Sequence, residues 1–560
     1  MTSICKQCSS AFEITPDDLA FYESISPLFN GKKELIPPPT LCPDCRQQRK
    51  FAFRNERHLY ARTCDATGKS IISTYTPDVP FPVYTQEYWW NDQWNPQDFG
   101  LPWNPKQSFF AQFDQLLQKT PRFACTVSTS ENCDYNNFCA GSRNCYMSQR
   151  LGDAEDSYYS YLVIDSRSIC DAYNAVKSEL CYETVDANGC YNTRFSENVV
   201  NCTDSSYLFN CNGCRNCCLC INLRNAEYCF ENKKLTKEEY EKRVAALRLV
   251  TASGTMNAGA RLSKLKAKSI VPALWGNTLE NVSGNYLSEC KNVLCSFDCH
   301  HCEDVRYAWG HMYGEDCMDT AFGFHCNRCY EFAAGVRSQD LHFCFNILNT
   351  CHDLFYCIDC VNSSHDLFGC ISVKHGEYCI LNKQYTKEEY ERLVPQIIEK
   401  MRADGEWGEF FPVIISPFAY NETAAQEYFP LKRKEVEKLG WKWMEKNDDL
   451  PKVTKVIPAK QLPDSIDDIP DDIVNWAIEC EATKRPFKII KQELEFYRKM
   501  QLPIPHCHPD ERHRRRMALR NPRKLWTRPC MKCGKEMQTT YSPERPETVY
   551  CEECYLKEVY

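Results

Sequence analysis

Along two long stretches of the chain, Cys recurs among polar Asn, Ser and Asp and aromatic Tyr. Cys133, Cys145, Cys170, Cys181, Cys190, Cys202 and Cys211 punctuate the first stretch, and Cys290, Cys302, Cys317, Cys326, Cys344, Cys351 and Cys360 the second. Most of the gaps are about 9–13 residues, rich in Asn, Ser, Asp and Tyr, and the local pattern is often Asn or Ser, Cys, any residue, then Tyr or Phe. Short β segments separated at this spacing by Asn, Asp and Gly predict half-coils of a β-solenoid, with about 20 residues per full coil. Both stretches end alike: Cys220-Ile, Glu227-Tyr-Cys229, Asn232-Lys233 and Thr236-Lys-Glu-Glu-Tyr-Glu241 recur as Cys370-Ile, Glu377-Tyr-Cys379, Asn382-Lys383 and Thr386-Lys-Glu-Glu-Tyr-Glu391. Thr at the N-cap with Glu three residues on is a capping box, so each stretch closes with a helix. That helix covers the last coil, which otherwise offers unpaired strand edges.

Before the first stretch and after the second the pattern becomes aromatic. Residues 86–120 hold Tyr88, Trp89, Trp90, Trp94, Trp103, Phe109 and Phe110, with a helix expected around Ala111–Lys119, and residues 406–430 are similar. Such density predicts packed interfaces between modules, with a ligand-stacking platform as the rarer option.

Composition narrows the class. The chain has 560 residues, 43% apolar and 25% charged, which excludes wholesale disorder. No apolar run approaches the ~18 residues of a membrane helix, and residues 1–8 show no charged n-region followed by an apolar h-region, so secretion is not expected. The expectation is a cytoplasmic chain with no membrane partner, whose 38 Cys serve as metal ligands or small buried apolar groups. In the solenoids a buried Cys ladder is expected. Extra metal at Cys211/Cys214/Cys217, Cys299/Cys302, Cys326/Cys329 or Cys357/Cys360, and disulfides, are the alternatives. His300-His301, beside Cys299 and Cys302, reads as a corner. A net charge of −8 argues against a surface coated in nucleic acid but leaves room for a local basic patch.

The two ends are copies of one unit. Arg46, Arg49, Arg54, Asn55, Arg57, Tyr60, Arg62 and Cys64 match Arg512, Arg515, Arg520, Asn521, Arg523, Trp526, Arg528 and Cys530. Gly68-Lys69, Tyr75 and Val83-Tyr84 match Gly534-Lys535, Tyr541 and Val549-Tyr550. Each unit is two half-modules in series, and each copy has lost a different ligand set. The first keeps Cys5, Cys8, Cys42 and Cys45 but has Cys64, Thr67, Thr85 and Tyr88 behind them. The second has Cys480, Thr483, His508 and Glu511 in front and keeps Cys530, Cys533, Cys551 and Cys554. Paired CxxC turns aim four thiolates at one point, the closed tetrahedral site of structural Zn²⁺. Two structural zinc ions per chain are expected, with Lys6, Arg46, Lys532 and Lys535 offsetting the thiolate charge. Half-modules of about 40 residues cannot bury enough core alone, and structural zinc supplies on the order of 10–16 kcal/mol of apparent folding free energy. The degenerate halves are expected to hold no metal, with Cys480/His508/Glu511 as a weak alternative.

Cys5-x2-Cys8, Phe21-Tyr22 and Cys42-Pro-x-Cys45-Arg46 resemble the "probable zinc-ribbon" domain of bacterial proteins, and Cys530-x2-Cys533-Gly-Lys with Cys551-x2-Cys554 resembles a related short finger. The resemblance covers somewhat under a third of the chain. It implies a treble-clef or zinc-ribbon finger that binds zinc and carries no established reaction. The Cys-rich middle is also similar to large cysteine-rich bacterial proteins with no assigned activity.

The fold class that follows is mainly β, with small α+β zinc-finger modules at both ends flanking two Cys-rich β-solenoids with capping helices. The divisions are 1–88 (finger unit), 89–124 (connector), 125–250 (first solenoid), 251–280 (linker), 281–402 (second solenoid), 403–475 (connector) and 476–560 (finger unit). Arg46, Arg49, Arg54 and Arg57, with their counterparts Arg512, Arg514, Arg515, Arg516, Arg520 and Arg523, are candidates for nucleic-acid or ribosome contact. The competing reading keeps them inside the molecule, over the zinc thiolates and against the acidic run Asp464–Asp472. No phosphate loop, Ser-His-Asp order or HExxH occurs, so no catalytic residue is assigned and the reading leans away from an enzyme. The expected function is a zinc-binding scaffold or adaptor for a macromolecular partner. The alternatives are a purely protein–protein scaffold, or a solenoid that binds or cleaves polysaccharide.

Overall fold

The computed structural model describes residues 1–323, 328–335, 341–348, 351–445 and 453–559. Cys326, one of the expected solenoid cysteines, lies outside them.

Both middle stretches are β-solenoids, but the coil is smaller than the Cys spacing suggested. Glu179 pairs in parallel with Tyr191, and Tyr191 with Thr203, so one full turn takes 12 residues, not about 20. The reason lies in the backbone. From Leu162 to Asn210 a residue of positive φ recurs at every third position, among them Asp165, Asp171, Asn174, Asp186, Gly189, Asn192 and Asn210. Each is a corner, so every turn is a four-sided frame with three residues per side. Asn, Asp and Gly tolerate this left-handed conformation best, which explains their density here. Their side chains also stack: Asn174 donates to Asp186 (2.7 Å) and Asn192 to Asp204 (2.9 Å).

The residue after each corner points into the prism. One turn places Cys181, Thr184, Ala187 and Cys190 there, and the next Thr193, Ser196, Val199 and Cys202, all buried. So narrow an interior admits small side chains, and the frame itself satisfies many of their polar atoms, though not Thr184 Oγ1. Thr193 Oγ1 donates to the carbonyls of Tyr191 and Cys202, each at 3.2 Å, and Cys202 Sγ lies 3.4 and 3.5 Å from those of Val200 and Cys211. Cys, Ser and Thr are therefore interchangeable in this slot. No disulfide joins cysteines among the described residues, and the solenoid cysteines at inward positions form the expected buried ladder.

The first solenoid runs through one 13-stranded sheet from Val127–Ser128 to Lys233–Lys234, and the second begins at Gly276–Glu280 and closes at Lys383–Gln384. Some turns of the second take 13 residues, as in His352↔His365 and the bridge Ile358↔Ile371. The capping boxes of Thr236 and Thr386 are both formed, starting the helices Lys237–Ala246 and Lys387–Asp404 at the solenoid ends. His301 is a corner (φ +54°) stacked 4.9 Å from Tyr313. The aromatic connector is interface: Phe109–Leu117 is helical, Phe113 stacks on Phe411 at 4.7 Å, and Phe109 lies 5.3 Å from both Tyr356 and Phe368.

The terminal units are crossed over the solenoids. The front half of the first unit lies on the second solenoid: Tyr22 meets Tyr330 at 4.9 Å, and Gln47 donates to Tyr307 O (2.7 Å). Its back half joins the entry of the first solenoid, where Val83–Tyr84 pairs with Arg122–Phe123. The second unit mirrors this. Its front half lies on the first solenoid, with Tyr159 donating to Glu493 (3.0 Å), and its strand Thr548–Tyr550 pairs with Ile270–Pro272 at the entry of the second. Each unit thus clasps both solenoids.

Candidate metal centres

All four half-modules keep one hairpin. At the first quartet the strands Thr2–Ile4 and Ala11–Glu13 flank a tight turn closed by Cys5 N to Ser10 O (2.9 Å). At the second, Trp526–Pro529 and Glu536–Thr539 flank the turn closed by Cys530 N to Lys535 O (2.8 Å), with Gly534 at φ +76°. The second Cys pair of each quartet enters a helix, Pro43–Phe51 after the N-cap Cys42 and Glu552–Val559 after Cys551. These elements bring Cys5, Cys8, Cys42 and Cys45 together, and likewise Cys530, Cys533, Cys551 and Cys554, with all Sγ atoms of each group within 4.8 Å of one another. Cys8 Sγ lies 3.7 Å from Cys42 Sγ, and Cys533 Sγ 3.7 Å from Cys551 Sγ.

The electrostatics suit a cation. A hydrogen bond with Cys45 draws the Cys42 thiol down to about 5, against the opposing effect of burial. Cys530 Sγ accepts the Cys551 N–H (3.2 Å). Four sulfur donors converging from two turns fit a soft tetrahedral metal ion, so each quartet can hold one ion. Cys8 and Cys533 are exposed, leaving an entry path.

The degenerate halves keep the fold and use their remaining thiol differently. Cys64 Sγ accepts the Thr85 N–H (3.3 Å), and Cys480 Sγ accepts that of Thr483 (3.4 Å). Glu511 does not turn toward Cys480; its carboxylate takes Arg514 (2.7 Å) and Arg515 (2.9 Å).

The arginines are placed by the crossing, not by the thiolates or the acidic run. Arg46, expected to offset the first quartet, is 1% exposed and bound to Asp319 at 2.9 Å. Arg49 bridges Glu331 (2.6 Å) and Glu409 (2.7 Å). In the other unit Arg512 pairs with Asp171, and Arg516 with Asp171 (2.8 Å) and Glu183 (3.1 Å). Arg520 takes Asp186 and Asp298, Arg523 takes Asp298, and Arg54 takes Glu56. Arg57 reaches across to Asp510 of the other unit (3.1 Å), whose carboxyl is held well below the usual range by Arg57 and His508, against burial. These guanidinium groups are enclosed by contacts within the chain. Arg514 and Arg515 alone among the ten are exposed.

Sequence reasoning missed the receiving acids. Asp171 and Glu183 lie one turn apart on the first solenoid, and Asp319 and Glu331 one turn apart on the second. Asp319 and Asp171 receive the equivalent Arg46 and Arg512, and Glu331 and Glu183 follow one turn later, so the receiving acids correspond between the two solenoids.

Among the described residues no helix is long and apolar enough to cross a membrane. No protein-family model, curated protein or solved structure matches the chain, so the metal reading of its ends rests on the geometry of the two thiol quartets.

Proposed function

We propose that each quartet holds one structural Zn²⁺ and that the clasped double solenoid is a scaffold for a protein partner. The observation that carries this reading is the burial of Arg46, Arg49, Arg54, Arg512 and Arg516 in contacts within the chain. The basic helices hold the molecule together, which leaves the outer solenoid faces as the extensive free surface. Those faces carry mixed charge in register, such as Arg143–Glu155 (2.5 Å) and Arg167–Glu179 (2.7 Å), a pattern suited to a protein surface rather than to a polyanion. Elemental analysis is expected to give about two zinc ions per chain. Affinity capture from the native cell, with and without nuclease, tests the partner class. Protein partners retained after nuclease support the proposal. Capture lost on nuclease treatment, with steep salt dependence that Arg514→Ala and Arg515→Ala abolish, returns the nucleic-acid reading.

A further inference from the structure

The first coil of the first solenoid has no coil before it. Its inward residues include Val127, Ser130 and Cys133, one turn ahead of Cys139, Ser142 and Cys145. A later coil has a neighbour on each side, whereas these three line an open groove. About 580 Å³ of it is open to the centre of a water-sized molecule, and Ile71, Ile72 and Thr85 of the first finger unit line it with them. Cys125 lines it as well.

The duplicate shows the same mouth closed. Trp275 N donates to Asn285 Oδ1 (2.7 Å) as Thr126 N donates to Asn137 Oδ1 (3.0 Å), so Leu274 and Gly276 stand in the places of Cys125 and Val127. Leu279 pairs with Cys290, one turn on, and so takes the place of Ser130; Val282 takes that of Cys133. Leu274, Leu279 and Val282 pack against the core of the second prism. The two leucines converge so closely that a Cβ at Gly276 would lie 2.8 Å from a methyl carbon of each. One mouth is plugged with branched apolar side chains. The other has Cys125, Ser130 and Cys133 in their places, with Val127 beside them.

The two thiols of the groove differ. Cys125 Sγ lies 3.5 Å from the Ile72 carbonyl, and burial pushes it up to about 12. Cys133 has other thiols as neighbours, and hydrogen bonds with Cys139 and Cys145 draw it down to about 3, against burial. Ser130 Oγ is 3.5 Å from Cys139 Sγ, so the residue that opens the mouth also touches this thiol group. A readily ionised thiol on an open groove, with a second thiol behind it, is the arrangement that attacks disulfides.

We infer that the groove is a thiol–disulfide exchange site, in which Cys133 takes up a low-molecular-weight disulfide and Cys145 resolves the adduct. The Cys133 thiolate attacks one sulfur of the small disulfide, whose S–S bond breaks, and one small thiolate leaves. Cys145 then attacks the Cys133 sulfur and gives its proton to the second departing thiolate. Two protein thiols are oxidised, and one small disulfide is reduced to two thiols. Cys145 stands one turn on, where neighbouring strands set Cα atoms about 4.8 Å apart. That spacing lies inside the roughly 4.4–6.8 Å that a disulfide spans.

The test is incubation of the full-length, zinc-loaded protein with glutathione disulfide at neutral pH, then peptide mapping of the alkylated, unreduced chain by mass spectrometry. The parent is expected to gain a Cys133–Cys145 cross-link at least about tenfold faster than any adduct on Cys202, an inward thiol with a coil on each side. Cys145→Ser, which keeps a small donor in the slot, is expected to hold glutathione on Cys133 instead. Cys125→Leu combined with Ser130→Leu, which restores the leucines of the duplicate, is expected to slow reaction at Cys133 at least about tenfold while far-UV circular dichroism stays unchanged. Cys145→Ser decides the question should that chain fail to fold. An unmodified Cys133 in both the parent and Cys145→Ser, a Cys133 cross-link to another thiol, reaction at Cys133 no faster than at Cys202, or an undiminished rate in the folded Cys125→Leu/Ser130→Leu chain overturns the inference.

Discussion

At the residue scale, two buried groups determine how the molecule responds to pH and mutation. His311 sits at an inward position of the second solenoid, fully buried, with Nδ1 3.1 Å from Thr320 Oγ1. Its ring occupies space that only Gly314 leaves open, since a Cβ there would lie 1.9 Å from Nε2. Burial pushes the imidazole down from 6.5 to about 4. The folded chain therefore takes up its proton later than the unfolded chain as pH falls. Its stabilising contribution is complete above about pH 6.5 and is lost as pH drops toward 4, by about 2 kcal/mol between pH 6.5 and 5. Urea denaturation at both pH values is expected to show that slope in the parent protein and its loss in His311→Gln. Asp171 is the second such group. Asp171→Asn leaves Arg512 and Arg516 without their shared carboxylate and is expected to cost about 3–5 kcal/mol. Arg514→Ala, which removes an exposed guanidinium and leaves Glu511 its bond to Arg515, is expected to cost less than about 1 kcal/mol in the same denaturation assay.

At the scale of elements, the solenoid turn sets what the sequence can vary. Cys202→Ser keeps a small donor in the slot between the Val200 and Cys211 carbonyls and is expected to change stability by less than about 1 kcal/mol. Cys202→Leu overfills the prism and is expected to destabilise by about 1–3 kcal/mol, read by thermal unfolding. This tolerance also explains how much of the fold was legible. The solenoids and their capping helices followed from Cys spacing and the Thr-x-x-Glu boxes. The turn length did not, because Ser, Thr, Ala and Val share the inward slots with Cys, so cysteines alone sample a three-residue period too sparsely. Corners on Tyr, Leu and Phe, such as Leu162, Phe195 and Tyr207, blur the Asn/Asp/Gly signal further. The thiol quartets, by contrast, were fully legible, since each ligand comes from a CxxC turn whose geometry is local.

At the scale of the whole molecule, the crossing of the two finger units decides the architecture. The duplication could be read from the sequence, yet not which unit meets which solenoid, because the receiving residues are single acids among 75 Asp and Glu. Since the first unit lies mostly on the second solenoid, and the second unit on the first, fragments 1–268 and 269–560 are expected to co-purify as a complex when co-expressed. Recovery of either fragment alone as a monodisperse folded species, with no affinity for the other, would contradict the crossed arrangement. The crossing has a mechanical consequence as well. Tension applied between the two ends reaches the clasps before the coils, shearing strands such as Val83–Tyr84 and Thr548–Tyr550 from their neighbours. Neither prism can begin to unwind until its clasps slip, so the chain behaves under load as a buckle whose catches are the two cysteine-anchored ends.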